Sequence, residues 1–305
     1  MKVLVATEKP FAAAAVDGIK KEIEGAGNEL VLLEKYTDVQ DLLNAVKDAD
    51  ALIVRSDNVN AAVLDAAENL RIVVRAGAGY DNIDIEYAKK KNVVVENTPG
   101  QNSNAVAELV FGLLVFACRS FYSGKTGNEL KGKKIGILAY GNVGRNVARI
   151  AKGFGMEIYA YDAFCPKEAI EKDGVVAVDS QDKLFTDCDI VSLHIPATPQ
   201  TVKSINKELV GKMKKNAIII NTARKEVIDE AGLLEIMKVR TDLKYITDIK
   251  PDADAEFQTF EGRYFSTPKK MGAQTAEANI NAGIAAAVQI NAYFKDGCTK
   301  FQVNK

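Results

Sequence analysis

Residues 134 to 162, KIGILAYGNVGRNVARIAKGFGMEIYAYD, carry the clearest indication of the fold. It begins with a short apolar run rich in Ile and Leu, passes through two glycines, and continues as a segment whose apolar residues recur at helical spacing. A second strand-like run closes it. Strand, glycine loop, helix and strand in this order are typical of a βαβ unit, in which the two strands are parallel.

The same alternation runs along almost the whole chain. Strand-like runs rich in Val, Ile and Leu occur in two series, VLVAT, LVLLE, ALIVR, IVVRA and VVVEN before residue 104, and IGILAY, EIYAYD, IVSLH, AIIINTA and KYITD after residue 133. A further β-like run, RYFS, lies shortly before Pro268. Helical periodicity separates these runs, which favours parallel sheets. The pattern therefore predicts an α/β protein with two doubly wound parallel-sheet domains and a cleft between them.

Composition narrows the class of protein. The 305 residues carry a formal net charge of −1, with 47% apolar and 27% charged residues, as in a soluble globular protein of two domains. The absence of a basic tail argues against nucleic acid or an anionic membrane as a partner. Four cysteines without metal or disulfide spacing indicate a reducing, cytoplasmic environment and predict no metal site.

The loop in the opening stretch reads A-x-G-x-x-G from Ala139 to Gly144, a dinucleotide fingerprint with alanine in the first glycine position. Gly141 would let the backbone approach a pyrophosphate, and Gly144 would let helix and strand pack closely. Asn142 and Val143, between them, would place the helix N-terminus against the negative charge. Alone, such a loop is often only a structural turn.

A second feature supports a dinucleotide site. Asp162 ends the second strand-like run, eighteen positions after Gly144, close to the spacing of the acid that binds a ribose diol. Its charge would repel a 2′-phosphate, and no arginine follows it directly. The sequence therefore predicts NAD as the cofactor in preference to NADP.

Several stretches carry a family resemblance: VVRAGAGYDNID (73 to 84), ENTPGQNSNAVAELVFGLL (96 to 114), VSLHIPATPQT (191 to 201), INTARKEVIDEAGLL (220 to 234) and PKKMGAQTAEAN (268 to 279). Together they resemble the D-2-hydroxyacid dehydrogenases, most closely the phosphoglycerate dehydrogenase branch that lacks a C-terminal regulatory domain. The resemblance implies a Rossmann-like NAD-binding domain, residues 99–286, inserted in a flavodoxin-like substrate-binding domain, residues 1–98 and 287–305. It also implies a homodimer.

The resemblance assigns roles to individual positions. By similarity, Arg224 binds and polarises the substrate's carboxylate and keto oxygen, and Asp248 holds the nicotinamide carboxamide. The pair Arg55 and Ser56 corresponds to the arginine and serine that phosphoglycerate-specific members use. Further cofactor contacts fall on Ala78, His194, Pro196, Thr222, Ala223, Gly272 and Ala273. Further substrate contacts fall on Arg75, Asn102 and Lys269, and on the backbone N–H groups of Ala76 and Gly77, which would bind the carboxylate.

The chain departs from the family at its acid/base. The family uses a histidine in a P-H-x-G stretch, whereas the only histidine here, His194, matches a cofactor-loop position. Alignment on Gly272 and Ala273 places Lys270 at the histidine's position. The orienting carboxylate is expected near Ala253. Asp252 is the first choice for it, with Asp254 and Glu256 as alternatives.

A lysine can do the histidine's work if its ammonium is destabilised. A free lysine, with a pKa near 10.4, is neutral in only about one molecule in 2500 at pH 7. Partial burial, the adjacent Lys269 and a positively charged nicotinamide ring would each lower that pKa. The simpler alternative is that both lysines are solvated surface residues. Likewise, Arg224 could be a structural ion-pair partner, Asp252 a solvated loop acid, and Arg55 a cap on the sheet.

These features favour an NAD-dependent oxidoreductase that oxidises a small phosphorylated 2-hydroxy acid, D-3-phosphoglycerate, to 3-phosphohydroxypyruvate, the entry to serine synthesis. A reductase for glyoxylate or hydroxypyruvate is the alternative within the same class. A catalytically silent, NAD-sensing interaction protein is the alternative of another class, because the family's histidine is missing.

Overall fold

The computed structural model describes residues 1 to 305. The strands, in chain order, are β1 (Lys2–Thr7), β2 (Glu29–Glu34), β3 (Ala51–Val54), β4 (Ile72–Arg75), β5 (Val94–Asn97), β6 (Lys134–Leu138), β7 (Glu157–Tyr161), β8 (Val176–Ala177), β9 (Ile190–Leu193), β10 (Ile218–Asn221), β11 (Lys244–Thr247) and β12 (Tyr264–Ser266).

The helices are α1 (Ala13–Gly25), α2 (Val39–Ala45), α3 (Ala61–Ala66), α4 (Ile85–Lys90), α5 (Ser103–Cys118), α6 (Asn142–Gly153), α7 (Lys167–Glu171), α8 (Gln181–Asp187), α9 (Lys207–Gly211), α10 (Glu230–Val239), α11 (Asp254–Gln258) and α12 (Ala276–Asp296). None of them is long and apolar enough to cross a bilayer.

The first compact unit comprises residues 1–102 and 274–305. Its five-stranded sheet has the order β2-β1-β3-β4-β5, with every pair parallel, which is the flavodoxin-like arrangement. Apolar side chains cover both faces of this sheet: Leu52 faces one core and its neighbour Ile53 the other. Burial on both sides explains why the strands read as continuous apolar runs.

Helix α12 belongs to this first unit and packs along α1. The two helices approach closely because Gly18 has no side chain, and a Cβ there would lie 2.6 Å from Cδ1 of Ile284. Gly297, at φ 71°, ends the helix in the left-handed conformation that glycine favours. The tail then returns to the sheet, where the Val303 N–H donates to the Val95 carbonyl.

The second unit comprises residues 103–273. Its seven-stranded parallel sheet has the order β12-β11-β10-β9-β6-β7-β8. Since β6 starts this unit, the order is that of a Rossmann fold extended by one strand, with its topological switch point between β6 and β9. Ligands of such sheets bind at the carboxyl ends of the strands next to the switch point, which is where the fingerprint loop lies.

The predicted fold class is confirmed, and each predicted strand is present. Strand β8 was not predicted, because two residues carry no periodicity. The unit boundaries differ from the predicted ones, since the chain divides at 102/103 and 273/274 rather than at 98/99 and 286/287. Residue 287 lies inside α12, and that helix packs on α1 along its length, so the return to the first unit starts earlier than predicted.

Candidate active site

The glycine loop between β6 and α6 has the geometry of a dinucleotide site. Ala139 adopts a φ of 77°, so the tight turn forms even though this position carries a Cβ. A Cβ on Gly144 would lie 2.3 Å from the Ala139 carbonyl oxygen, which explains the glycine. Gly141 is the N-cap of α6 and faces open space, so a pyrophosphate can approach the first N–H groups of this helix. The loop therefore fits NAD.

Asp162 follows β7 and is fixed by its neighbours. Its carboxylate accepts hydrogen bonds from the backbone N–H groups of Tyr140 at 2.7 Å, Phe164 at 2.8 Å and Cys165 at 2.9 Å. Burial opposes ionisation, but these N–H donors and the charge of Arg145 together lower the pKa of Asp162. An ionised, oriented carboxylate therefore stands where a ribose diol would bind.

The turn after β10 carries Arg224 and meets Lys270. The Asn221 side chain shapes this turn by donating to the Arg224 carbonyl at 2.9 Å and accepting from the Ala223 N–H at 3.0 Å. Both the Arg224 guanidinium, at 2.9 Å, and the Lys270 ammonium, at 3.4 Å, donate to the Ala223 carbonyl oxygen. The structure thus brings together the two residues predicted to act on substrate. Thr222, beside them, has a buried hydroxyl without a hydrogen-bond partner.

Asp248 anchors the loop that bears Lys270. The carboxylate is fully buried and accepts hydrogen bonds from the N–H groups of Met271 at 2.8 Å and Gly272 at 2.7 Å. The Thr267 hydroxyl lies 2.9 Å from the same carboxylate. A Cβ on Gly272 would lie 3.1 Å from it, so this position favours glycine. This anchoring could not be predicted from the sequence, because the partners of Asp248 are backbone groups and a threonine of the following loop.

The surroundings of Lys270 differ from those predicted. Lys269 and Lys270 are both exposed, whereas partial burial was predicted for Lys270. Asp252 is ion-paired with Lys225, and its side chain is 79% exposed. Of the alternative acids, Asp254 accepts from the Tyr264 hydroxyl at 2.6 Å. The identity of the acid that supports Lys270 therefore stays a prediction.

His194 follows β9 and is held in place by hydrogen bonds, and its predicted contact with the cofactor stays a prediction. Its N–H donates to the Leu138 carbonyl at 2.9 Å, and its ring Nε2 lies 2.9 Å from the Ser192 hydroxyl. Burial lowers the pKa of the imidazole to about 3. The ring is therefore neutral near pH 7, where it cannot donate a proton as an imidazolium. Pro196, in the following loop, accepts from the Thr201 hydroxyl.

Two arginines converge at the carboxyl edge of the first unit's sheet. Arg55 donates to the carbonyl oxygens of Lys9 at 3.1 Å and Pro10 at 3.2 Å, and to the Asn279 side chain at 2.8 Å, all neutral oxygens. The Arg75 Nε is buried without a hydrogen-bond partner. Burial lowers the pKa of both guanidiniums, and the charge of Arg55 lowers that of Arg75 further. Together they favour binding of an anion.

The turn after β4 differs in one respect from the prediction. The Ala76 N–H donates to the Val54 carbonyl at 2.8 Å, and the Gly77 N–H donates to the Arg75 carbonyl at 2.8 Å. Both N–H groups are therefore engaged within the protein, and neither is free to bind a carboxylate. Ala78, which follows, is exposed. Gly77 must stay glycine, because its φ is 152° and a Cβ there would overlap the Arg75 guanidinium.

The remaining predicted residues lie at loop positions. Ser56 is exposed directly after Arg55, Asn102 is partly buried immediately before α5, and Ala273 is partly buried at the end of the second unit. Their predicted contacts with ligand stay predictions.

A family model and a solved structure match this chain. Residues 118–259 match the family model described as D-isomer specific 2-hydroxyacid dehydrogenase, NAD binding domain. The crystal structure of an NAD+-bound 3-phosphoglycerate dehydrogenase of Entamoeba histolytica is 49% identical and superimposes with a TM-score of 0.86, covering 100% of this chain and 99% of that chain.

Two curated relatives are similar over most of this chain. The hydroxypyruvate reductase of Thermotoga maritima is 37% identical, over 86% of this chain and 90% of its own length. The D-3-phosphoglycerate dehydrogenase of Methanocaldococcus jannaschii is 38% identical over 87% of this chain, but the chain spans only 53% of that relative's length. By its fold, its fingerprint loop and these matches, the chain belongs to the D-isomer specific 2-hydroxyacid dehydrogenase family.

Proposed function

We infer that the protein oxidises D-3-phosphoglycerate to 3-phosphohydroxypyruvate with NAD. The observation that carries the choice of substrate is the pair Arg55 and Arg75, two partly buried guanidiniums whose hydrogen-bond acceptors are neutral. Guanidinium groups bind phosphate through paired, charge-assisted hydrogen bonds. Asp57 and Asp81 offset part of these charges, but neither carboxylate is hydrogen-bonded to a guanidinium, so a phosphate could still bind. An unphosphorylated hydroxy acid would not use this pair.

Residues of the second unit would bind the cofactor, bind the substrate and transfer the proton. Gly141, Gly144 and Asp162 would hold NAD, which supplies the hydride acceptor when bound. Arg224 would bind the substrate carboxylate and polarise the oxygen at C2, because a planar guanidinium matches a carboxylate in two hydrogen bonds. Lys270 would take the hydroxyl proton during oxidation and return it during reduction.

The shared contact with the Ala223 carbonyl supports this division of roles. The Lys270 ammonium and the Arg224 guanidinium both contact this carbonyl oxygen, so a substrate oxygen bound to one group would be close to the other. A general base has to lie within hydrogen-bond reach of the proton that it removes. Asp248 maintains this arrangement because it fixes the backbone on the C-terminal side of Lys270.

The experiment is an assay of NAD reduction with D-3-phosphoglycerate between pH 7 and 10. We expect the rate to rise with pH across this range, because the neutral amine of a lysine is the form that accepts a proton. His194 is not expected to contribute to this rise, because its pKa of about 3 lies far below the range of the assay. Absence of NAD reduction at every pH would refute the proposed activity.

A second candidate is a hydroxypyruvate or glyoxylate reductase. The similarity to the Thermotoga maritima hydroxypyruvate reductase, which this chain matches over 90% of its length, favours it. Such an enzyme would not need the Arg55 and Arg75 pair. Reduction of hydroxypyruvate at a kcat/KM exceeding that for 3-phosphohydroxypyruvate would favour this candidate.

Inactivity toward both classes of substrate, together with tight NAD binding, would favour a silent NAD-sensing protein. We expect a small phosphorylated 2-hydroxy acid as the ligand, a homodimer as the assembly and the cytoplasm as the location.

A further inference from the structure

An arginine lies beside the carboxylate that would bind the ribose. The Arg145 Nη2 is 3.4 Å from the Cys165 sulfur, and the Cys165 N–H donates to the Asp162 carboxylate at 2.9 Å. The guanidinium is therefore separated from Asp162 by a single residue. Proteins that bind NADP place an arginine near this position to accommodate the 2′-phosphate. Arg145 is therefore a candidate for binding a 2′-phosphate, unless another group holds its guanidinium elsewhere.

Asp173 holds Arg145 in its present position. The Asp173 carboxylate accepts from the Arg145 guanidinium at 2.7 Å and from the Tyr140 hydroxyl at 3.1 Å. The guanidinium also stacks on the Tyr140 ring, 4.8 Å from its centroid. Tyr140 itself is fixed, because its side chain is buried and its N–H donates to Asp162 at 2.7 Å. One carboxylate oxygen of Asp173 thus accepts hydrogen bonds from both the Arg145 guanidinium and the Tyr140 hydroxyl, which belong to the stacked side chains.

We propose that Asp173 determines the choice of dinucleotide by engaging Arg145 in this ion pair, so that the guanidinium is directed away from a 2′-phosphate. Asp162 repels the phosphate, and Asp173 withholds the cation that could bind it. The inference rests on the dinucleotide site of the proposed function, but on neither its substrate nor Lys270.

The chemistry of the groups gives the expected direction. An arginine released from a carboxylate keeps its charge and its five donors, and a phosphate dianion is a strong acceptor for them. The pair is partly exposed, with side-chain exposures of 41% for both partners, so the side chain has room to rotate. Replacing Asp173 by asparagine removes the negative charge while keeping the shape of the side chain and an acceptor for the Tyr140 hydroxyl.

The test measures the dissociation constants of NAD and NADP by isothermal titration calorimetry for four proteins: the unmodified protein, Asp162→Asn, Asp173→Asn and the double variant. Asp162→Asn is preferred to alanine because an amide oxygen still accepts from the backbone N–H groups around it. We expect the double variant to bind NADP roughly ten- to a hundredfold more tightly than Asp162→Asn alone, as one charge-assisted phosphate contact allows.

A third substitution separates this role from a structural one. Adding Arg145→Gln to the double variant should abolish the gain in NADP affinity, and raising the salt concentration should reduce the gain, because the contact is between charges. A gain that persists without Arg145 would overturn the inference. So would an NADP dissociation constant that changes less than twofold when Asp173→Asn is added to Asp162→Asn in a protein of unchanged melting temperature. Failure of the unmodified protein to bind either dinucleotide would refute the site itself, whatever substrate it uses.

Discussion

Lys270 and Arg224 donate to one acceptor, the carbonyl oxygen of Ala223, at 3.4 and 2.9 Å. The two side chains come from loops that follow different strands, β12 and β10, and are separated in sequence by more than forty residues. Parallel strands bring their carboxyl ends to one edge of the sheet, so residues distant in sequence can share a turn there. The contact makes Lys270 part of the same cationic group as Arg224 and so a candidate for the chemistry.

Replacing Arg55 tests the choice of substrate. Because a charge-assisted contact contributes roughly 1.5 to 3 kcal/mol, Arg55→Ala should raise the KM for D-3-phosphoglycerate by about ten- to a hundredfold. The KM for unphosphorylated D-glycerate should change little. Steady-state kinetics with both substrates measure the difference.

The control for this prediction is stability, since Arg55 also binds the carbonyl oxygens of Lys9 and Pro10. Thermal unfolding of Arg55→Ala and of the matched Arg55→Lys, which keeps the charge, separates loss of folding from loss of phosphate binding. Equal losses on both substrates would mean that Arg55 stabilises the fold and does not recognise phosphate.

Replacing Ala139 tests the strain in the fingerprint loop. Ala139 has a φ of 77°, a conformation that costs a residue with a Cβ about 1 kcal/mol relative to glycine. Ala139→Gly should therefore raise the free energy of unfolding by about this amount. Denaturant titration measures the change, and Ala148→Gly, at a buried position within α6, should lower it. If the Ala139→Gly protein were less stable than the unmodified one, the backbone at Ala139 would not be strained.

Acidification tests the environment of His194. The folded pKa of about 3 lies below the ordinary value near 6.5, so between these values the unfolded chain binds more protons than the folded one. The contribution of His194 to the free energy of unfolding is therefore lost as the pH falls from about 6.5 toward 3. His194→Gln should weaken the decline in stability over this range, as measured by denaturant titration at each pH. An unchanged slope would show that the imidazole titrates normally.

Much of the fold could be predicted from sequence because its signals are local. Strand runs such as AIIINTA are apolar throughout, since strands of a parallel sheet are buried on both faces, and Gly144 is required by a carbonyl only five residues away. The unit boundary was harder to place. The division at residue 274 depends on how α12 packs on α1, and the close approach at Gly18 joins residues far apart in sequence.

The hydrogen bonds that support the site could not be predicted either, because they also join residues that are far apart in sequence. The sequence places Asp248 at a strand end, but its hydrogen bonds to the N–H groups of Met271 and Gly272 depend on the path of a loop. Asp252 was selected by spacing alone, and in the structure it is ion-paired with Lys225, so its proposed support of Lys270 stays a prediction. Spacing along the chain does not reveal which of several neighbouring carboxylates lies near Lys270.

Lys270→Ala tests whether Lys270 takes the place of the family's histidine. If Lys270 carries the proton, this substitution should lower kcat by about a hundred- to ten-thousandfold, the usual contribution of a general acid or base. The affinity for NAD should change little, because the lysine does not hold the cofactor. Lys269→Ala is the matched control, an adjacent exposed lysine whose loss should have a mild effect.

The decisive measurement is kcat of Lys270→Ala for oxidation of D-3-phosphoglycerate at saturating NAD, in a protein whose folding and NAD binding have been verified. We expect a residual rate of at most about one hundredth of the normal rate. A rate above about one third of normal would contradict it, because a proton carrier contributes far more than threefold; Lys270 would then be a solvated surface residue.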